Sequence, residues 1–161
     1  MSLRGNNVHS NVVLGNAIPA QSIANATVNG STILLPWKTG RQLSFLFVGG
    51  AFAASASGRL RIQQRAKVAG TWSTMKENDG TTDLEFTVAL LDDAGTGENG
   101  LLLGTLDLSR VDGATYDAIR VTFEAEHATA TQLVAVAYMI SDLYSRPSSQ
   151  TDDIRAKTFP A

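Results

Sequence analysis

A stripe of cations is the feature of this sequence best suited to chemistry. Arg59, Arg61, Arg65 and Lys67 stand at alternate positions of one segment, and Gln63 fills the gap between them. In a β-strand alternate side chains point to the same side, so these residues share one face and the apolar residues between them share the other. Four cations about 7 Å apart repel one another unless anions intervene. The stripe therefore predicts an anionic partner.

Three kinds of partner fit the stripe. Two other alternating segments carry carboxylates on their polar sides, at Asp83, Glu85, Glu124 and Glu126. Cross-strand pairing with these residues contributes about 0.2–1 kcal/mol a pair. An acidic surface of a neighbouring subunit is the second partner. Nucleic acid is the third, and it is disfavoured because the stripe lacks stacking aromatics and the chain is mildly acidic. We expect neutralisation by carboxylates.

The glycine-rich loop from Gly95 to Gly100 matches the letters of a dinucleotide-binding motif. That motif works only where a helix begins and turns its amides toward the phosphates, whereas here Leu101 continues into a strand-like segment. Asp92, Asp93 and Glu98 lack the alternation of a calcium loop. A plain hairpin loop is the simpler interpretation, with no cofactor and no metal.

Residues for catalysis are scarce. The chain has no cysteine, and its two histidines, His9 and His127, lie far apart in the sequence. We therefore expect no catalytic site and no enzymatic activity. Trp37 and Trp72 could form a platform for sugars, although packing in a core or interface is the commoner role of tryptophan.

Charge is divided unevenly along the 161 residues. The first 76 residues contain eight Lys and Arg and no carboxylate, and the remainder contains all 15 Asp and Glu with five basic residues. Halves of opposite charge pair within one copy or between copies, which favours an assembly protein. No apolar run is long enough to span a membrane and no signal peptide is recognisable. The absence of cysteine suits a reducing cytoplasm.

Short alternating segments separated by turn residues predict an all-β sandwich. The predicted strands are 31–35, 42–48, 59–68, 72–75, 83–90, 101–106, 118–126 and 132–140. Leu133–Ile140 is apolar on both faces and should be a central strand. One short helical turn is expected within 108–116. Residues 1–26 lack periodicity and predict an extended arm, 27–145 the sandwich, and 146–161 a polar tail.

Same-face residues of these strands form the predicted core. They are Phe45, Phe47, Leu60, Ile62, Leu84, Phe86, Val88, Ile119, Val121, Phe123, Val134 and Val136.

Several segments together resemble small structural proteins of tailed bacteriophages, the head decoration or cement proteins. They are Gly58–Gln64 with Gly70-Thr71-Trp72, Leu106–Leu108 with Tyr116–Val121, and Val134–Ala137 running into Arg146-Pro147. The resemblance implies a jelly-roll-like antiparallel sandwich, to which the composition of residues 1–26 and 146–161 adds extended arms at both ends. It also implies a protein that binds the capsid surface of the virion, assembles in the host cytoplasm and bridges neighbouring subunits. A tail or baseplate protein and a carbohydrate-binding sandwich for host attachment remain open.

The resemblance implies two partners, the major capsid protein and other copies of the chain as a dimer or trimer, and neither nucleic acid nor membrane. The expected partner contacts are the apolar and basic residues of the arm, the stripe and the tail. They are Leu3, Arg4, Val8, Val12, Val13, Leu14, Ile18, Arg59, Arg61, Arg65, Lys67, Arg146, Ile154, Arg155 and Phe159.

Overall fold

The computed structural model describes residues 13–34, 42–50, 58–87, 100–126 and 132–141. These residues form ten strands. They are β1 (Val13–Ile23), β2 (Thr27–Asn29), β3 (Ile33–Leu34), β4 (Gln42–Gly49), β5 (Gly58–Ala66), β6 (Trp72–Thr74), β7 (Glu85–Thr87), β8 (Gly100–Asp107), β9 (Tyr116–Ala125) and β10 (Gln132–Ser141). A 3-10 turn at Leu108–Arg110 confirms the predicted helical turn. In the described ranges no helix is long and apolar enough to cross a membrane.

The strands form two antiparallel sheets. The first sheet has the order β1-β10-β4-β8, and the second has the order β2-β9-β5-β6. In the second sheet β3 also pairs with β9, and β7 pairs with β5 beside β6. The pairs β2/β3 and β6/β7 thus each act as one interrupted strand. Every pairing is antiparallel.

This strand order is that of a jelly roll. The first strand pairs with the last (β1 with β10), the next with the one before the last (β2 and β3 with β9), and so on inward to β5 with β6. A long antiparallel hairpin that is folded over once produces this order, and its two halves become the two sheets. The predicted jelly-roll-like β-sandwich is confirmed.

The core lies between the two sheets and follows from their alternation. Phe47 of the first sheet stacks on Phe123 of the second, with ring centroids 5.5 Å apart. Nine predicted core residues are buried: Phe45, Phe47, Leu60, Ile62, Ile119, Val121, Phe123, Val134 and Val136. Leu84 packs against this cluster from a partly buried position. The side chains of Phe86 and Val88 lie outside the described part of the chain.

Two glycines admit core aromatic rings from a neighbouring strand. A Cβ on Gly104 of β8 would lie 2.1 Å from Cζ of Phe45, its cross-strand partner on β4. A Cβ on Gly15 of β1 would lie 2.2 Å from the ring of Tyr138 on β10. Distances this short are excluded by overlap, so both positions need glycine for close approach.

The N-terminal arm is the main correction to the sequence interpretation. Val13–Ile23 is an integral strand of the first sheet, and Ile18 is fully buried opposite Val136. The prediction of an extended arm is therefore wrong over this segment, and Ile18, an expected partner contact, lies in the core instead. Val13 and Leu14 are half-buried, and their contacts with a partner stay predictions. Its register against β10 shifts twice, between Asn16 and Ile18 and again before Gln21. These shifts break the period of two, so the sequence pattern does not reveal the strand.

The other predicted contacts of the termini lie outside the described residues and stay predictions. They are Leu3, Arg4, Val8, Val12, Arg146, Ile154, Arg155 and Phe159. Trp37, both histidines and the glycine-rich loop up to Asn99 also lie outside them.

Strand boundaries differ from the prediction where turns begin. The strand predicted at 59–68 ends at Ala66, and Val68 is fully exposed in the turn that follows. The strand predicted at 31–35 is only Ile33–Leu34, and β2 was missed because three residues carry too little pattern. β7 begins at Glu85, because Asp83 closes the loop before it by bridging to Lys76.

Candidate interaction surfaces

The outer face of the second sheet carries the predicted stripe. Arg59, Arg61 and Arg65 lie on β5, flanked by β9 on one side and by β6 and β7 on the other. Register places Arg59 opposite Glu124 and Arg61 opposite Glu85. The stripe therefore lies between two strands that bring carboxylates to the same face. We call this outer surface the charged face.

Arg61 lies between two carboxylates. Its Nε is 3.1 Å from Oε2 of Glu85, and its Nη1 is 2.7 Å from Oε2 of Glu124. Arg59 pairs with Glu126, which lies just beyond the end of β9. Three of the four predicted acidic partners thus form ion pairs with arginines of the stripe. The fourth, Asp83, pairs with Lys76 instead.

Arg65 has a partner that the sequence pattern missed. Its Nε and Nη2 donate to the two carboxylate oxygens of Asp117 at 2.9 and 3.0 Å. This two-pronged geometry is the strongest form of a surface ion pair. The hydrogen bond from Arg65 lowers the pKa of Asp117. Asp117 escaped notice because it is the second residue of β9, next to a register shift at Arg65/Ala66 and outside the alternating run.

Lys67 lies beyond β5 rather than on it. Its Nζ donates to the carbonyl oxygen of Gly113, in the turn that leads into β9. In that turn the hydroxyl of Thr115 and the amide of Ala114 hydrogen-bond to Asp112 and lower its pKa, and the charge of Lys67 contributes to the same shift. The last cation of the stripe is therefore held against an acidic turn of its own chain.

The three arginines of the stripe are thus neutralised by carboxylates of their own chain, and Lys67 is held by a backbone carbonyl close to Asp112. This confirms for the arginines the prediction that carboxylates neutralise the stripe. The assignment of Arg59, Arg61, Arg65 and Lys67 to partner contacts stays a prediction. A cation that already holds a carboxylate has less to gain from a second one, because the first has satisfied its donors and its charge.

Trp72 and Arg120 form the remaining feature of the charged face. The Arg120 guanidinium lies over the Trp72 ring, 4.3 Å from its centroid, and that of Arg65 lies 5.8 Å away. Nε of Arg120 donates to Oε1 of Gln63 at 2.8 Å, and burial lowers the pKa of Arg120. Guanidinium groups therefore occupy the half-buried ring, which disfavours the use of Trp72 as a flat platform for sugars.

The outer face of the first sheet has the opposite character. β1, β4 and β10 contain no Asp, Glu, Lys or Arg, and β8 contains only Asp107 at its last position. All five ion pairs between described residues lie on the second sheet or in the loop along its edge. We call this surface of the first sheet the apolar face.

Large apolar side chains on this face are exposed. Leu46 and Leu103 are cross-strand partners on β4 and β8, and Val48 follows two residues along β4. The exposed fractions are 71% for Leu103, 49% for Leu133 and 40% for both Leu46 and Val48. Exposed leucine and valine on three neighbouring strands, with Asp107 as the one charged residue of the sheet's strands, are typical of an interface rather than of solvated protein.

The sequence pattern predicted the central strand of this sheet but did not reveal its apolar outer face. The segment Leu133–Ile140 was predicted to be a central strand because both of its faces are apolar, and β10 does lie between β1 and β4. Only one of those two faces of β10 packs into the core, and the other faces outward. The signal for the other face was the absence of charge from three whole strands. Among the described residues no three His, Asp or Glu side chains gather in a way that would hold a metal ion.

Comparison with known proteins identifies neighbours of the fold only. No protein-family model matches the chain, and no curated protein matches it. The solved structure of infectious bursal disease virus, Gx strain, is similar with a TM-score of 0.56 and 10% identity, over 84% of this chain and 34% of that chain. The crystal structure of the VP2 subviral particle of the same virus has a TM-score of 0.53 and 12% identity, over 89% of this chain and 37% of that chain.

A third neighbour is the structure of T=1 particles derived from infectious bursal virus, with a TM-score of 0.54 and 10% identity, over 89% of this chain and 36% of that chain. This chain thus spans about a third of the length of these solved chains. At such identity the likeness concerns the fold, and the fold alone does not determine function.

Proposed function

We propose that this chain is a structural protein of a virus particle: a bacteriophage head decoration protein that binds the capsid surface and bridges neighbouring subunits. The observation that carries this proposal is the apolar face. The strands β4, β8 and β10 present exposed leucine or valine to the outside, and β1, β4 and β10 carry no charge. Burying such side chains against protein gains roughly 25 cal/mol per Å² of apolar area. We therefore expect this domain to function with its apolar face buried against another protein surface.

The two faces of the sandwich suit this role in different ways. The charged face is already neutralised within the chain and keeps the assembled protein soluble. The fold is similar to that of solved virus particles, which agrees with the proposal at the level of fold. Many copies on one particle add their binding energies, so modest contacts suffice to stabilise a shell. The role requires no catalysis and no cofactor.

Binding to particles tests the proposal. Heads and tails of the virus that encodes the chain are purified from an infection in which its gene is deleted, and each is mixed with the purified protein. We expect the protein to sediment with heads and to raise the temperature at which those heads release DNA. Sedimentation with tails alone would support the alternative of a tail protein. Binding to neither would overturn the proposal.

A further inference from the structure

The apolar face needs a covering partner, and its relief indicates which one. On β4 and β8 the side chains of Leu46, Val48 and Leu103 form a ridge. Beside it on β10 stand Ala137, opposite Leu46, and Ala135, opposite Val48. Two alanines next to three large side chains leave a short trough beside the ridge, which ends at the exposed Leu133 on the same face of β10. The surface therefore offers both a projection and a depression.

A surface with a ridge beside a trough is complementary to itself. A two-fold axis that runs parallel to the strands, between β10 and β4, places the ridge of each copy in the trough of the other. The four strands of the two copies then overlap almost completely. Sheets commonly pack face to face about 10 Å apart with their strands nearly aligned. A two-fold contact of this kind is the commonest in soluble oligomers.

The lack of charge on the apolar face and the area of that face both favour a second copy of the chain as its partner. A distinct partner is usually selected by complementary charges, and the apolar face has none to offer along β1, β4 and β10. A sheet of four strands that lie about 4.8 Å apart, each about eight residues long at about 3.3 Å per residue, has a face of about 500 Å². A pair of such faces buries about 1,000 Å², which reaches the lower bound of a specific interface.

We propose that two copies of this chain associate through the outer face of the β1-β10-β4-β8 sheet, ridge in trough, about a two-fold axis between β10 and β4. The proposal deepens the proposed function, on which it rests, by naming what covers the apolar face. The charged faces of both copies then point outward from the dimer. In this arrangement the apolar face supplies the contact between copies, and the remaining surface of the dimer would contact the particle at two neighbouring positions.

The oligomeric state of the purified full chain tests this inference without any particle. Sedimentation equilibrium of the natural chain should give a dimer. The double variant Leu46→Asp/Leu103→Asp should raise the dissociation constant of the dimer at least about tenfold, since it buries four unpaired charges. Ser73→Asp is the matched control, because Ser73 is exposed on β6 of the other sheet, and it should leave the dimer intact. Circular dichroism checks that both variants remain folded.

A crosslink tests the position of the axis. The chain has no cysteine, so a single one can be placed at will. Val48 lies on the strand next to the axis, and Val48→Cys should be joined to its symmetry mate by a short bifunctional maleimide, whereas Ser73→Cys should not. A natural chain that stays monomeric up to about 1 mM would overturn the inference. A dimer that survives the double aspartate variant would overturn it too. Either result leaves particle binding, and hence the proposed function, to be decided separately.

Discussion

Arg61 illustrates how single residues of this protein obtain their partners. It is one cation of an exposed stripe, yet Glu85 and Glu124 reach it from two different strands. Because β5 is the middle of three adjacent strands, its outward side chains have neighbours on both sides. Each pair is partly exposed, so each contributes only about 0.2–1 kcal/mol. The stripe orders the sheet face more than it stabilises the fold.

Neutralising Arg61 should still have a measurable effect. In Arg61→Gln the two carboxylates lose their shared cation and repel each other, so we expect the free energy of unfolding to fall by about 0.5–2 kcal/mol. The loss should be larger at low salt, because ions screen the repulsion. Urea denaturation across a salt series measures it.

The triple variant Arg61→Gln/Glu85→Gln/Glu124→Gln is the matched control for that prediction. It removes the repelling carboxylates together with the cation and should recover most of the lost stability. Equal stability of Arg61→Gln and the natural chain at low salt would mean that these ion pairs contribute nothing.

At the scale of elements, β1 changes the interpretation most. It closes the edge of the first sheet, pairs with the last strand and buries Ile18. Its two register shifts hide the alternation by which the other strands were recognised. β4 and β10 show the reverse effect: their patterns were read correctly as strands, but a pattern with both faces apolar cannot tell which face is the core.

Truncation of a β1 side chain checks that this segment is part of the core. Ile18→Ala should lower the free energy of unfolding by about 2–5 kcal/mol, since Ile18 is fully buried against β10. Ala20→Ser, at an exposed position of the same strand, should change it by less than about 0.5 kcal/mol. Chemical denaturation compares the two variants. A small loss for Ile18→Ala would restore the interpretation of this segment as an arm.

At the scale of the whole molecule, the two sheets share one core and divide the surface between them. The Phe47–Phe123 contact joins the sheets at their centre. Among the described residues the ion pairs lie on the outer face of one sheet and in its edge loops, whereas the strands of the other sheet carry a single charge, Asp107, and several exposed apolar residues. The two outer faces of the molecule therefore differ in polarity, and both the proposed function and the proposed dimer depend on this difference.

A shared core predicts that the two sheets unfold together. Phe123→Ala should lower the free energy of unfolding by about 3–5 kcal/mol, because its site is fully packed. In a Trp37→Phe background, fluorescence of Trp72 reports the second sheet, and far-ultraviolet circular dichroism reports both sheets. The two transitions should coincide in the parent and in the Phe123 variant. Separate midpoints would show that each sheet has stability of its own.

The sequence by itself determined the class of fold, most of the core and the need for an anion beside the stripe. These are local properties: a period of two is visible within a single strand, as in Leu60 and Ile62, whose neighbours are charged. Which strands meet is a property of the tertiary structure alone. It pairs Arg65 with Asp117, places Val13–Ile23 in the first sheet with Ile18 in the core, and turns the second apolar side of β4 and β10 outward. Such contacts depend on strand order and register, which join residues far apart in the chain, and no local pattern encodes them.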